Sequence, residues 1–214
     1  MTGTSAGNVL SGGLGDDVLD GAGGADTMAG GIGDDIYLVD NGGDVVTESL
    51  NAGVDTVRTS LATYTLSANV ENLVLTGNSS QSGFGNGLNN TVTSNGVGAT
   101  LNGGAGNDVL ISNGGADVLT GGAGADTFYF KKMPAAAVQI TDFTQGQDVL
   151  DLHTVLGGYQ GTNPVGDQWL KFQSDASGTT VYVDTDGAAS GAGFVAVAKL
   201  AGVTSISASD WVFH

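Results

Sequence analysis

The chain has no cysteine, two prolines and only five basic side chains among its 214 residues. Without cysteine no disulfide can hold the fold, so the chain needs another cross-link, for which a metal ion is the obvious candidate. Lysine and arginine are outnumbered by 22 acidic side chains, which leaves a net charge of −17. Such a charge argues against nucleic acid, anionic membranes and acidic polysaccharides as partners, and it favours cations.

Two targeting features are also missing. No apolar run approaches the roughly 18 residues of a membrane span, so no span is expected. Residues 1–11 have neither the basic region nor the apolar core of a signal peptide. We therefore expect a chain that is intracellular, a fragment, or exported by a route that does not read the N-terminus. A disordered acidic tail is excluded, because 40% of the residues are hydrophobic and can bury a core.

Glycine is abundant, with 38 residues, and it recurs in units of nine. In each unit the sixth residue is acidic and the eighth is large and apolar. The clearest units are GGLGDDVLD from Gly12, GAGGADTMA from Gly21, GGIGDDIYL from Gly30, GGAGNDVLI from Gly103, SNGGADVLT from Ser112 and GGAGADTFY from Gly121. Weaker copies begin at Gly3 and at Val39.

This pattern has a physical interpretation. Glycines at the start of a unit allow the positive φ angles of a tight turn. The aspartate supplies a hard oxygen ligand, and the carbonyls of the turn can supply more. The last three residues form a short strand with one residue facing inward. If nine residues make half a coil, then Asp17 stacks with Asp35 and Asp108 with Asp126, with a calcium ion between the turns.

The units resemble the calcium-binding repeat of RTX proteins, GGxGxDxUx, where U is large and apolar. GGLGDDVLD, GGIGDDIYL, GGAGNDVLI and GGAGADTFY match it in full. The resemblance implies an all-β fold, namely a right-handed parallel β-roll or solenoid of nonapeptide repeats with calcium held between its turns. The alternative, a flexible Gly/Asp-rich linker, does not explain an apolar residue at every ninth position.

The acidic positions are the candidate calcium ligands. The strongest candidates are Asp17, Asp26, Asp35, Asp108, Asp117 and Asp126. Weaker candidates in imperfect units are Asn8, Asp44 and Asn90. Asp16 and Asp34 come one residue earlier, so only their carbonyls are expected to help. About four to six calcium ions are expected, with affinities of roughly 10⁻⁴ to 10⁻³ M as in extracellular modules.

Four parts are predicted along the chain. They are calcium-binding repeats at 1–47, degenerate and mostly calcium-free solenoid rungs at 48–102, a second block of calcium-binding repeats at 103–130, and a C-terminal antiparallel β cap with a secretion-target region at 131–214. Counting back in nines from the second block places Asn72 and Asn90 in the acidic position and Val74 in the apolar one. The frame slips between Glu48 and Ser67. Continuous rungs held by packing and Asn/Thr hydrogen bonds are preferred, and a β-rich insertion between two rolls is the alternative.

The glycine repeats stop at Lys131, and alternating apolar residues then suggest antiparallel strands that cap the last coil. This part resembles the C-terminal target region of type I secreted RTX proteins through DTFYF, ITDFTQGQDVLDL, VDTDG and the final Asp-Trp-Val-Phe. The resemblance implies an uncleaved signal read by an ABC-transporter channel. Asp142, Asp148 and Asp151 could hold a further ion or bond within the cap. The DTDG stretch at Asp184 is expected to be a hairpin turn.

Three classes of function stay open. The first is a module that folds on extracellular calcium and supports type I secretion and stability of a larger exported bacterial protein. Its partners would be calcium, the secretion channel and upstream domains, and its location would be extracellular or at the cell surface. The second is an adhesin or carbohydrate-binding module, with Tyr159 and Trp169 flanking a groove for a glycan. The third is an accessory domain of a secreted polysaccharide-modifying enzyme, lipase or protease.

Catalysis by this chain is not expected. The GTSAG stretch at residues 3–7 matches a serine-hydrolase elbow, but it lies in register with the repeats and lacks a preceding strand. His153 and His214 are the two histidines, and neither belongs to a plausible nucleophile–histidine–acid set. The chain is therefore predicted not to be an enzyme.

Overall fold

The computed structural model describes residues 1–186 and 193–213, which form twenty β-strands and no helix. In chain order the strands are β1 Val9–Leu14, β2 Val18–Asp20, β3 Thr27–Ile32, β4 Ile36–Val39, β5 Val45–Thr47, β6 Thr56–Thr59, β7 Thr63–Thr65, β8 Asn72–Leu75, β9 Gln81–Phe84, β10 Thr91–Thr93, β11 Ala99–Ala105, β12 Val109–Ser112, β13 Val118–Ala123, β14 Thr127–Phe130, β15 Val138–Ile140, β16 Val149–Asp151, β17 Leu170–Asp175, β18 Gly178–Asp184, β19 Phe194–Ala201 and β20 Trp211–Val212. No helix that could cross a membrane occurs in this described part of the chain.

The strands alternate between two layers of a solenoid. The even-numbered strands from β2 to β16, followed by β20, form one nine-stranded sheet in which every pair is parallel. The opposite layer consists of a three-stranded sheet, β1–β3–β5, and an eight-stranded sheet that runs from β7 through β9, β11, β13 and β15 to β19, β18 and β17. Each coil contributes one strand to each layer.

The coil length in the glycine-rich blocks follows the sequence period. Val9 pairs with Thr27 and Val18 with Ile36, each eighteen residues later. Two units of nine residues therefore make one coil. The predicted all-β parallel solenoid is confirmed, and its right hand stays a prediction.

Apolar side chains of the strands point between the layers. In the nine-stranded sheet, the residues in register at this position are Leu19, Tyr37, Val57, Leu73, Val92, Leu110, Phe128, Leu150 and Trp211. All of them except Trp211 are fully buried. Burying one such side chain stabilises a fold by about 1.5–3 kcal/mol. The core is thus a ladder, in which each coil depends on its two neighbours.

Residues 48–102 continue the nine-stranded sheet through β6, β8 and β10. In the opposite layer, β5 ends the three-stranded sheet and β7 begins the eight-stranded one. Amide side chains join neighbouring coils in this middle part. The Nδ2 of Asn86 donates to the carbonyl oxygens of Ser67 at 2.7 Å and Val70 at 2.8 Å. These side chains make contacts between coils without an ion.

One predicted frame in the middle part is wrong. Asn72 pairs with Thr91, nineteen residues later, because the intervening coil has one extra residue. Leu73, and not Val74, therefore points into the core. Glu71, and not Asn72, comes directly before β8 in the acidic position. Counting in nines cannot detect an extra residue inside a turn.

The parallel coils extend beyond the second glycine-rich block. β15 and β16 pair parallel with β13 and β14, because Ile140 and Leu150 stack on Leu119 and Phe128. After a long excursion β19 returns to β15 and β20 to β16, again in parallel. Antiparallel pairing is confined to β17, β18 and β19. The end of the molecule is therefore mixed: the predicted antiparallel strands are present, at the edge of a final parallel coil.

The ladder-like core predicts a large difference between two leucines. Leu119→Ala removes a fully buried side chain and should lower the free energy of unfolding by about 2–5 kcal/mol. Leu14→Ala is the matched control, since Leu14 is 82% exposed, and it should change stability by less than about 0.5 kcal/mol. Chemical unfolding at saturating calcium measures both. Equal effects would contradict the packing described here.

Candidate metal centre

Acidic side chains line one corner of the solenoid. The residue directly before each strand of the nine-stranded sheet occupies this corner, and together these residues form what we call the acidic column. Its members, in stacking order, are Asp17, Asp35, Asp55, Glu71, Asn90, Asp108, Asp126, Asp148 and Asp210. Eight of the nine members are carboxylates, and the ninth is an amide.

Backbone N–H groups bind one oxygen of most of these carboxylates. The N–H of Asp17 donates to Oδ1 of Asp35 at 2.8 Å, and the N–H of Asp35 donates to Oδ1 of Asp55 at 2.9 Å. The N–H of Asp108 donates likewise to Oδ1 of Asp126 at 2.9 Å. In these three pairs one coil orients the carboxylate of the next coil through a single oxygen.

Several of these second oxygens are buried without a partner. Within the described residues, Oδ2 of Asp35, Asp55 and Asp108 is inaccessible to solvent and accepts no hydrogen bond. A buried carboxylate oxygen without a partner costs several kcal/mol unless a cation or donor meets it. These atoms fit a hard divalent cation such as calcium, whose ligands in proteins are oxygens.

The repulsion between the carboxylates of the acidic column also favours the binding of cations there. Burial raises the pKa of Asp55 and of Asp108 to about 6. Burial also raises the pKa of Asp35, Asp126 and Asp148. The ion pairs found in the described part of the chain are Lys199–Asp175 and His153–Asp151, both outside the acidic column. Unit charges 4 Å apart repel by about 1 kcal/mol even in bulk water, and more in a protein.

The glycines of the repeat make room for this arrangement. A Cβ at Gly103 would overlap Oδ2 of Asp108, and a Cβ at Gly30 would overlap Oδ2 of Asp35. The first glycine of the unit is therefore required by the carboxylate that packs against it. The second and fourth positions have positive φ angles, for example +106° at Gly104 and +116° at Gly106, which only glycine adopts without strain.

A second, shorter column precedes the strands of the three-stranded sheet. The N–H of Asn8 donates to Oδ1 of Asp26 at 2.7 Å, and the N–H of Asp26 donates to Oδ1 of Asp44 at 3.0 Å. Oδ2 of Asp26 is buried without a partner. Oδ2 of Asp44 accepts from the backbone at Asn41 at 3.1 Å. The structure thus brings these three predicted ligands together.

Asp117 differs from the other predicted ligands. It lies in the opposite layer, in register with Ala99 and next to no other carboxylate of its own column. Its Oδ1 accepts from the N–H of Ala99 at 2.7 Å, and its Oδ2 accepts from the hydroxyls of Ser94 at 2.9 Å and Ser112 at 2.7 Å. These contacts favour a structural role, and its role as a ligand stays a prediction.

Asn90 is fully hydrogen-bonded inside the acidic column. Its Oδ1 accepts from the N–H of Asn86 at 2.7 Å. Its Nδ2 donates to the carbonyl oxygens of Val70 at 3.2 Å and Glu71 at 3.1 Å. An amide there joins neighbouring coils through its own hydrogen bonds.

Sequence reasoning missed several members of the acidic column. Asp55 follows Asp35 by twenty residues instead of eighteen, although Asp55-Thr56-Val57 repeats the acidic-x-apolar pattern and could have identified it. Glu71 was hidden by the shifted frame. Asp210 belongs to the last coil, far from any glycine repeat.

The three candidate aspartates after the second block have different environments. Asp148 is a member of the acidic column and is buried. Asp142 accepts hydrogen bonds from the N–H groups of Gly121 and Gly122. Asp151 lies in β16 and is hydrogen-bonded to His153 at 2.5 Å.

The remaining candidates lie at the surface or at the end of a strand. Asp16 and Asp34 are exposed, and Oδ1 of Asp16 accepts from the N–H of Asp34 at 2.8 Å. Asp184 ends β18, which pairs antiparallel with β19. Residues 187–192, on which part of the predicted DTDG turn falls, and His214 lie outside the described residues.

Stacked half-coils of nine residues, with an acidic side chain before each strand, define a metal-binding parallel β-roll. The family model of the RTX calcium-binding nonapeptide repeat matches residues 2–37 and 97–128, with four copies. The chain thus carries RTX repeats, as the sequence predicted, and these repeats are calcium-binding.

Among solved structures, the chain is similar to the AlgE6R3 subunit from the Azotobacter vinelandii mannuronan C5-epimerase. The two are 26% identical with a TM-score of 0.45, and the match covers 69% of this chain and 81% of that one. No curated protein matches the chain.

The raised pKa values predict how acidity affects the calcium-free fold. Asp55 and Asp108 have an ordinary pKa of 3.8 when unfolded and about 6 in the calcium-free fold, so the folded chain binds more protons between these values. Their contribution to stability is complete below pH 3.8 and is lost as the pH rises through 6. We expect the calcium-free chain to be more stable at pH 5 than at pH 7.5, and added calcium to stabilise it less at pH 5.

Far-ultraviolet circular dichroism of the calcium-free chain at both pH values measures this difference, because a more stable fold gives more β-structure at pH 5 than at pH 7.5. The control is the double variant Asp55→Asn with Asp108→Asn, which should lose most of the pH dependence. A calcium-free chain that is less stable at pH 5 would contradict the prediction.

Proposed function

We propose that this chain is a calcium-binding module that folds on extracellular calcium and supports type I secretion and stability of a larger exported protein. The observation that carries the proposal is the acidic column, in which buried carboxylate oxygens such as Oδ2 of Asp35 and Asp108 have no partner. A folded chain without calcium must keep these charges close together or take up protons. Calcium removes that cost, so the fold and the ion are coupled.

The residues that would hold calcium are the carboxylates of the two columns, with the glycine turns beside them. The strongest set is Asp17, Asp26, Asp35, Asp108 and Asp126, to which Asp55 is added. Bound calcium would supply positive charge between neighbouring coils. The chain itself orients these carboxylates. A backbone N–H binds one oxygen of Asp35 and of Asp126, and the second oxygen is left for the ion.

The net charge and the calcium concentration together determine on which side of the membrane the module would fold. At low calcium a chain with a net charge of −17 and 38 glycines should stay expanded, which suits passage through a narrow channel. Outside the cell, calcium near 10⁻³ M would occupy sites of about 10⁻⁴ to 10⁻³ M affinity. Binding only to the folded form stabilises it by mass action and opposes backsliding. The likeness of 131–214 to secretion-target regions supports an extracellular location.

A glycan-binding function has less support. The rings of Tyr159 and Trp169 lie 5.5 Å apart between centroids and pack against each other. Phe213 contacts Tyr159 at 5.8 Å. Tyr159 and Trp169 therefore leave no room for a sugar ring between them. A glycan-array screen separates this alternative from the proposal, which expects no binding.

The first test is a calcium titration of the metal-free chain followed by far-ultraviolet circular dichroism, with magnesium as the control ion. We expect a cooperative transition to β-structure near millimolar calcium, and none with magnesium, because magnesium demands a stricter octahedral geometry. A full β spectrum in metal-free buffer would refute the folding switch.

A secretion assay tests the second half of the proposal. A reporter is fused ahead of the chain and expressed with a type I transporter. Export should require 131–214, and the double variant Asp35→Asn with Asp108→Asn should still be exported but recovered outside in a less folded, protease-sensitive form. Equal export of a fusion without 131–214 would refute the secretion role.

A further inference from the structure

Glu48 occupies a position that glycine holds in the neighbouring coils. Ala29 pairs with Thr47, so Glu48 stands directly beside Gly30, the first glycine of its unit. Its side chain is buried, with 8% exposure. The frame of nines slips at this residue, and the family match ends at 37, so no repeat assigns a role to it.

The Glu48 side chain is held by four donors. Its Oε1 accepts from the N–H groups of Gly30 at 3.1 Å and Gly31 at 3.3 Å, and from the hydroxyl of Tyr37. Its Oε2 accepts from the N–H of Ser49 at 3.0 Å. Such a set of donors fixes the carboxylate in one orientation.

Two further carboxylates meet Glu48 at this place. Single carboxylate oxygens of Asp35, Glu48 and Asp55 all lie within 4.8 Å of one another. Asp35 is 1% exposed and Asp55 is fully buried. The Oδ2 atoms of both aspartates are buried and accept no hydrogen bond from any described residue. Two unpartnered oxygens beside a third, fixed carboxylate require a cation.

We propose that Asp35, Glu48 and Asp55 bind one calcium ion at a site that the nonapeptide repeat does not provide. The donor set consists of three carboxylates, with neither nitrogen nor sulfur, which selects a hard divalent cation. The coil from Asp35 to Asp55 has twenty residues and an irregular turn, so its ligands suit the flexible coordination of calcium better than the octahedron of magnesium. The inference rests on the proposed calcium-binding function and adds a site to it.

The end of the second block repeats the same replacement. Asp142 stands beside Gly121, the first glycine of its unit, and its Oδ1 accepts from the N–H of Gly121 at 2.9 Å. Its Oδ2 accepts from the N–H of Gly122 at 2.8 Å. Each glycine-rich block therefore ends where an acidic residue takes the place of a first glycine. The recurrence shows that Glu48 is part of the architecture of a block end.

Tyr37 gives this site its own spectroscopic reporter. Its ring is fully buried in the core, and its hydroxyl donates to Glu48 while accepting from the N–H of Gly30 at 2.6 Å. Terbium replaces calcium at oxygen sites and emits when a nearby tyrosine is excited. A terbium ion held by Glu48 would lie close to Tyr37.

The test counts calcium ions by isothermal titration and native mass spectrometry on the full chain. Glu48→Gln keeps an acceptor for Gly30 and Gly31 but removes the charge, and it should bind about one calcium ion fewer per chain. Asp55→Asn keeps the acceptor for the N–H of Asp35 and should lose the same ion. Asp16→Asn is the matched control, since it removes one exposed charge from the same block and should lose none.

Terbium emission provides the second measurement. Exciting tyrosine should give emission from the wild-type chain that falls severalfold in Glu48→Gln and in Tyr37→Phe, but not in Asp16→Asn. If Glu48→Gln does not reach the wild-type circular dichroism spectrum at saturating calcium, this variant is misfolded. The ion count of Asp55→Asn and the terbium emission of Asp55→Asn and Tyr37→Phe then test the site.

Failure of this site and failure of the proposed function give different results. If wild type binds calcium and Glu48→Gln and Asp55→Asn bind as many ions with unchanged terbium emission, Glu48 is a structural acceptor and this site is overturned. A wild-type chain that binds no calcium overturns the proposed function itself.

Discussion

The hydrogen bond from a backbone N–H to the carboxylate of the next coil is the interaction on which this molecule depends. It joins coils at most corners before the strands of the nine-stranded sheet, as between Asp108 and Asp126. The same bond fixes one carboxylate oxygen, and in Asp35, Asp55 and Asp108 the other oxygen is buried without a partner. Because a single contact both sets the coil spacing and prepares the ligand, the architecture of the roll and its affinity for metal cannot be separated.

The interactions that join neighbouring coils differ along the chain. In the glycine-rich blocks the turn is built around carboxylates, and the core is a ladder of apolar side chains from the strands. In the middle part, amides such as Asn86 and Asn90 reach the carbonyls of the preceding coil directly. A neutral amide carries its own donors, so these coils need fewer ions. The roll therefore combines coils joined by side-chain amides with coils whose carboxylates need a charge partner.

The nine-residue period predicted the parallel layers, the inward apolar ladder and the stacking of Asp17 with Asp35. Counting in nines misses Asp55, because a coil of twenty residues precedes β6 and only the local pattern Asp55-Thr56-Val57 indicates the position. It also could not show that Asp117 faces two serine hydroxyls, since those come from strands whose alignment depends on the whole stack. Periodicity determines which residues face the corner when coils are regular. In irregular coils, three-dimensional packing determines which residues face the corner.

Tension would take this roll apart one coil at a time. Neighbouring coils touch only each other, so a pulled end loads a single layer of strand pairs while the rest stays intact. Each coil of eighteen residues then releases about 60 Å of chain, at roughly 3.3–3.6 Å per residue. Coils of other lengths, such as the twenty residues from Ile36 to Thr56, release correspondingly more or less chain. The molecule would thus extend in discrete steps, and the length of each step follows the length of the coil that opens.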